Sequence, residues 1–139
     1  TAIDAQVSDQ LIRNIFIKNS PLHDGAMIIR DDRIAAAGCV LPLSSNEKLP
    51  PELGTRHRAG VGMSEATDAL VVIVSEESGD ISVAKGGMLK RSLEVSTLDK
   101  LLRQELCDNT QPPTEDNFPA QMLKKLSGKA KEEKGYGKK

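Results

Sequence analysis

The chain has 139 residues, 38% of them apolar but only 2% aromatic, so it is sized for one domain with a core of Ile, Leu, Val, Ala and Met. Nineteen basic residues stand against 20 acidic ones, a net charge of −1, which excludes a general nucleic-acid binder with a broad basic face. The longest clean apolar run, Ala69 to Val74, falls far short of the ~20 residues of a membrane helix, and no signal peptide is visible. The chain itself is therefore expected to be soluble.

Ser8 can cap a helix with Asp9 in its first turn, and Leu11, Ile12, Ile15 and Phe16 then share a helical face. Asn19-Ser20-Pro21 is the expected stop. A strand is expected from Ala26 to Arg30, a tight turn at Asp31-Asp32, and a return strand from Arg33 to Val40, with Gly38 marking a bulge or a close approach. Pro42 to Gly54 reads as a loop stiffened by Pro50-Pro51.

Thr55 is the expected cap of a short helix from Arg56 to Glu65. Ala69 to Ser75 (ALVVIVS) is continuous and β-branched and predicts a strand buried on both faces. Ser78-Gly79 turns into a further strand, Ile81 to Lys85, which Gly86-Gly87 ends. Thr97 is the expected cap of a last helix with Leu98, Leu101, Leu102 and Leu106 facing inward. Seven lysines against two glutamates crowd the segment from Lys124 to Lys139. Residues 111–139 are therefore expected to form a polar, Lys-rich, flexible tail. The expected architecture is a single α/β domain of the α+β type, with a mixed central β-sheet flanked by helices. Cys39 and Cys107 belong to no C-x-x-C pair and are expected to be buried or neutral thiols in a reducing compartment.

Two clusters could carry chemistry. In Leu22-His23-Asp24-Gly25-Ala26, small neighbours leave the Asp24 carboxylate unshielded, open to a substrate hydroxyl or a metal. From spacing alone, a turn aspartate that satisfies local backbone donors is the simpler account. In Gly54-Thr55-Arg56-His57-Arg58, three cationic or titratable residues open a helix, against the sign of its dipole. A bound anion would resolve that conflict, because free N–H groups at a helix start attract phosphate. The competing account pairs these arginines with acidic neighbours elsewhere in the fold. Glu76 and Glu77 end the apolar strand, either as a solvated turn or at the edge of a ligand site.

Asp24-Gly25-Ala26 and Arg56-His57-Arg58 resemble the two signature motifs of the bacterial diadenylate cyclase domain. The strings PLHDGAMII, LGTRHRAGVGMSEATDA and VVIVSEESGDISVAKGG are similar to that family in order and separation. The likeness runs from about Ala5 to Leu106 and is nearest to the membrane-anchored type of Firmicutes. It implies that residues 1–110 are the catalytic domain, truncated at its N-terminus, with a further helix, a core strand and membrane helices ahead of Thr1. It also implies an enzyme that joins two ATP molecules into cyclic di-AMP with release of two pyrophosphates.

In that reading, Asp24 helps activate the ribose 3′-hydroxyl and forms the catalytic motif with Gly25 and Ala26. The backbone at Gly25, Ala26, Val40 and Leu41 lines the ribose and adenine sites. Thr55, Arg56, His57, Arg58 and Ser75 hold the phosphates, and His23 and Glu77 take a divalent metal: Mn²⁺, Mg²⁺ or Co²⁺. The expected partners are ATP, cyclic di-AMP and a second copy in a transient homodimer, with no nucleic acid and with room for regulatory proteins in the full-length context. The expected location of the full-length protein is the cytoplasmic face of the cell membrane. The alternative is a module that binds ATP or cyclic di-AMP without turnover. An α/β interaction domain with no nucleotide site is a third reading, and Arg56, His57 and Arg58 at a helix start argue against it.

Overall fold

A computed structural model describes residues 1–107. Among these residues the order of elements is β1 (Ala2–Gln6), α1 (Asp9–Ile15), β2 (Ala26–Arg30), β3 (Arg33–Cys39), α2 (Thr55–Ala66), β4 (Val71–Val74), β5 (Ile81–Lys85), β6 (Met88–Leu93) and α3 (Val95–Cys107). The chain divides after Val95 into a first unit, which holds all six strands, and a second unit that takes up most of α3. The boundary expected at residue 110 and the tail 111–139 lie outside the described residues.

The α+β class is as expected, and its strands are shared between two three-stranded sheets, ordered β1-β3-β2 and β4-β5-β6, with every pairing antiparallel. The two tight hairpins, β2-β3 and β5-β6, turn on two residues at positive φ, Asp31 (51°) and Asp32 (58°) in the first, Gly86 (56°) and Gly87 (83°) in the second. Such turns match the twist of paired strands. Gly86-Gly87 thus ends β5 as expected but leads straight into β6, a strand that its charged sequence MLKRSL did not suggest. β1 was not anticipated either: it is five residues long, and its register against β3 shifts between Ala2 and Ala5.

The helices begin and end for local reasons. Ser8 caps α1 by accepting the Leu11 N–H at 3.2 Å, as expected. The helix stops at Ile15, before the expected Asn19-Ser20-Pro21, and the Ser20 hydroxyl donates to the orphan Ile15 carbonyl at 2.7 Å. Phe16 lies past the last helical residue and is exposed, not on the core face. The cap of α2 is Gly54, so Thr55 is its first helical residue, and no side chain bonds to the free N–H groups there. Likewise α3 begins at Val95, two residues before the expected cap Thr97. Leu98, Leu101 and Leu102 are half-buried, whereas Leu106 is exposed.

Each sheet has its own core. Ile15, Ile34 and Ala37 are buried in the first, with Ile3, Leu11, Ile12, Leu22 and Met27 against them. Val61, Ile73 and Ala84 form the second, with Leu49, Val71 and Leu89. β4 departs from the expectation of burial on both faces: Ile73 is buried, while Val72 and Val74 are 42% and 51% exposed. The reason is that α2 packs on the face of β4 that carries Val71 and Ile73, while the face that carries Val72 and Val74 is open. Gly60 makes this packing possible, because a Cβ there would lie 2.7 Å from Ile73 Cγ1.

Candidate functional site

Asp24 sits at the end of the loop that leads into β2. Ala26 pairs with Cys39 across the ladder, so the Asp-Gly-Ala segment is pinned at the strand start. Gly25 has φ +133° and lies against the backbone of Gly38 and Cys39. That tight backbone contact leaves Asp24 on the outside, with its side chain 83% exposed. Next to it, the His23 Nδ1 lies 2.7 Å from the Ser20 carbonyl. A carbonyl only accepts, so Nδ1 carries a proton, and in the neutral ring Nε2 then keeps its lone pair. That is the tautomer in which imidazole ligates a metal.

The start of α2 supplies the cations. One guanidinium nitrogen of Arg56, Nη2, is 3.4 Å from Asp24 Oδ1 and 2.5 Å from Glu76 Oε1. Three segments distant in sequence therefore meet at one side chain: the loop before β2, the first turn of α2 and the turn after β4. His57 points its Nε2 to the hydroxyl of Ser82 at 3.4 Å, on the buried strand β5. Burial, and secondarily the charge of Arg91, hold the His57 pKa below the usual imidazole value, which favours the neutral ring. The Arg58 carbonyl accepts the Ser44 N–H at 2.9 Å, while the Ser44 hydroxyl donates to Glu65 Oε1 at 2.7 Å. Ser44 thus ties the loop after β3 to α2. Gly62 permits the approach, since a Cβ there would lie 2.7 Å from the Ser44 nitrogen.

The remaining expected site residues take distinct places. Thr55 is exposed at the helix start. Val40 is 97% exposed and Leu41 half-buried, at the head of the loop that Ser44 anchors. Ser75 organises the turn after β4: its N–H donates to the Asp80 carbonyl, and its own carbonyl accepts from Gly79, both at 2.9 Å. Glu77 is exposed in that turn. Among the described residues, no three His, Cys, Asp or Glu side chains gather closely enough to enclose a metal. A cation here would draw most of its ligands from outside the protein.

Sequence reasoning did not single out three residues of this site. Glu76 was recognised as part of a strand-end acidic pair, but strand periodicity does not say which of two turn residues meets Arg56. Ser82 and Ser44 carried no signal, because a serine in an apolar strand or a proline-rich loop is unremarkable by composition.

With this geometry in hand, the likeness to known proteins is informative. Residues 1–89 match the family model DAC, described as DisA bacterial checkpoint controller nucleotide-binding. The chain is 51% identical over 116 residues to the cyclic di-AMP synthase CdaA of Bacillus subtilis (strain 168), covering 84% of this chain and 42% of that protein. It is 53% identical over 104 residues to a diadenylate cyclase of Listeria monocytogenes (strain 10403S), covering 75% of this chain and 38% of the relative. The chain therefore spans well under half the length of these curated relatives. A crystal structure of a double mutant of DacA from Staphylococcus aureus superposes with a TM-score of 0.72 at 52% identity, over 75% of this chain and 69% of that one. A structure described as a hypothetical membrane spanning protein from Bacillus cereus gives a TM-score of 0.65 at 42% identity, over 68% of this chain and 46% of that one.

Proposed function

This chain belongs to the DAC family of nucleotide-binding domains, and from that premise we propose that it is the catalytic part of a diadenylate cyclase, joining two ATP into cyclic di-AMP with release of two pyrophosphates. The observation that carries the reading is the meeting of Asp24 with Arg56 at the uncapped start of α2. A carboxylate suited to take or orient a hydroxyl proton stands beside a cation suited to a phosphate. A site that only held nucleotide would have no use for the first.

In this reading the ATP triphosphate lies along the start of α2. The free N–H groups there, with Thr55, Arg56, His57 and Arg58, hold it, the two guanidinium groups offsetting its charge, and Ser75 flanks it. The backbone at Gly25 and Ala26 borders the ribose, and Val40 and Leu41 border the adenine. Asp24 orients the ribose 3′-hydroxyl and accepts its proton as the oxygen attacks the α-phosphate of the other ATP. The new bond is a phosphodiester, the bond to pyrophosphate breaks, and repetition at the second hydroxyl closes the ring.

Mn²⁺, Mg²⁺ or Co²⁺, when bound, supplies charge neutralisation at the phosphates. His23 through Nε2 and Glu77 through its carboxylate would hold it, with phosphate oxygens and water as the other ligands. A donor set of one or two protein groups plus substrate phosphate is the usual way such ions are held at nucleotide sites.

One site of this kind holds one ATP, so two chains must face each other for the reaction, and a two-fold homodimer is the natural arrangement. Among the described residues no helix is long and apolar enough to cross a membrane. The kinship with a structure described as membrane spanning supports a location of the full-length protein at the cytoplasmic membrane face, where ATP is available.

The test is incubation with ATP and Mn²⁺ or Mg²⁺, followed by mass detection of the product. The expected result is cyclic di-AMP and two pyrophosphates per molecule. ATP that binds but stays unconverted would make the chain a binding module.

A further inference from the structure

We propose that Glu76 is an internal competitor for Arg56: its carboxylate holds the guanidinium in the ligand-free protein and must be displaced by the incoming phosphate. This deepens the nucleotide reading given above and rests on it. The contact is between Arg56 Nη2 and Glu76 Oε1 at 2.5 Å, shorter than the 3.4 Å to Asp24 on the same nitrogen. The Glu76 carboxylate is therefore the nearer of the two partners.

The surroundings say which group gives way. Arg56 is the more enclosed, with its side chain 37% exposed against 64% for Glu76. Glu76 belongs to a turn whose shape is set by Ser75, Gly79 and Asp80 backbone bonds and by a Ser78 hydroxyl bond to Asp80. None of these contacts involves the Glu76 side chain, so it can swing into water without disturbing the turn. Asp24 is needed beside the reacting hydroxyl and stays.

Charge gives the exchange its function. The Glu76 carboxylate beside Arg56 offsets part of the attraction that Arg56, Arg58 and the free N–H groups of α2 exert on an arriving polyphosphate, until Glu76 withdraws. When the product's singly charged phosphodiester replaces the triphosphate, the Glu76 carboxylate brings the same charge and can reclaim Arg56. Glu76 thus weakens the grip on phosphate at both ends of the cycle, a positioning residue that acts through Arg56 and not on the reacting atoms.

The measurement is calorimetric binding of 3′-deoxy-ATP with Mg²⁺, a ligand that lacks the attacking hydroxyl, with 3′-deoxyadenosine as the phosphate-free control. Glu76→Gln removes the charge and keeps the shape. The expected result is about twofold to fivefold tighter binding of the triphosphate, in line with the modest strength of exposed ion pairs, and unchanged binding of the nucleoside. Glu76→Asp restores the parental affinity, and the gain disappears in an Arg56→Ala background. Unchanged or weaker triphosphate binding in Glu76→Gln overturns the proposal, as does an equal gain without Arg56. A parent chain that binds no triphosphate overturns the nucleotide reading itself, and this inference with it.

Discussion

A Cβ on Gly25 would lie 2.8 Å from the carbonyl carbon of Gly38 and 3.0 Å from both the nitrogen and the oxygen of Cys39, and Gly25 itself holds φ +133°. The two glycines let the loop that carries Asp24 lie directly on β3. An added methyl group would push the loop off the strand and place a side chain in a backbone region suited to glycine alone. Gly25→Ala is expected to lower stability by about 1–3 kcal/mol and to reduce turnover beyond what the lost stability explains, because Asp24 moves with the loop. Thermal unfolding and turnover at a temperature where the variant is fully folded check this. Normal turnover in a folded variant would show that the position of Asp24 does not depend on the contact.

Asp24→Asn keeps the size of the side chain and removes its ability to accept a proton. Product formation is expected to be lost while ATP binding is largely retained. Turnover within twofold of the parent would remove Asp24 from the mechanism.

Arg56→Ala and Arg58→Ala are expected to weaken ATP far more than adenosine. A charge-assisted bond to phosphate contributes ~1.5–3 kcal/mol, and adenosine has no phosphate to lose. Parallel titrations with the two ligands separate the effects. Equal losses would assign these arginines to the fold, a role that the Arg56 ion pairs with Asp24 and Glu76 make a real competitor.

His57 is held toward its neutral form chiefly by burial. Its pKa in the folded chain lies below the unfolded value of ~6.5, so the unfolded chain binds the proton more readily. The neutral ring's contribution to stability is complete above that value and is lost as pH falls through the lowered folded pKa. Melting temperatures followed from pH 7.5 downward should therefore fall more steeply for the parent than for His57→Gln. Parallel curves would mean that His57 titrates alike in both states.

Much of the fold was legible where local chemistry decides it. Ser8 caps a helix wherever it stands before an amphipathic run, and Ala26–Arg30 and Ile81–Lys85 are bounded by turn residues on both sides. The misreadings came where tertiary context decides. ALVVIVS looks buried on both faces, yet tertiary packing decides this, and α2 covers the face of Val71 and Ile73 while that of Val72 and Val74 is open. MLKRSL has no apolar alternation, and it becomes a strand because the Gly86-Gly87 turn delivers it to β5. The motif residues of the site were found by resemblance and by the odd placement of cations at a helix start. Their union through Arg56 was not, because no spacing rule relates residues 24, 56 and 76.

That two chains, each holding one ATP, together make cyclic di-AMP is a requirement of the proposed reaction. It is tested most directly by the initial rate of cyclic di-AMP formation per mole of chain, measured by mass over a wide dilution series at saturating ATP and Mn²⁺. The specific activity is expected to rise with protein concentration and level off as pairs dominate, with two pyrophosphates released per product. No cyclic dinucleotide at any concentration, or a flat profile from a chain that sediments as a monomer throughout, would contradict it.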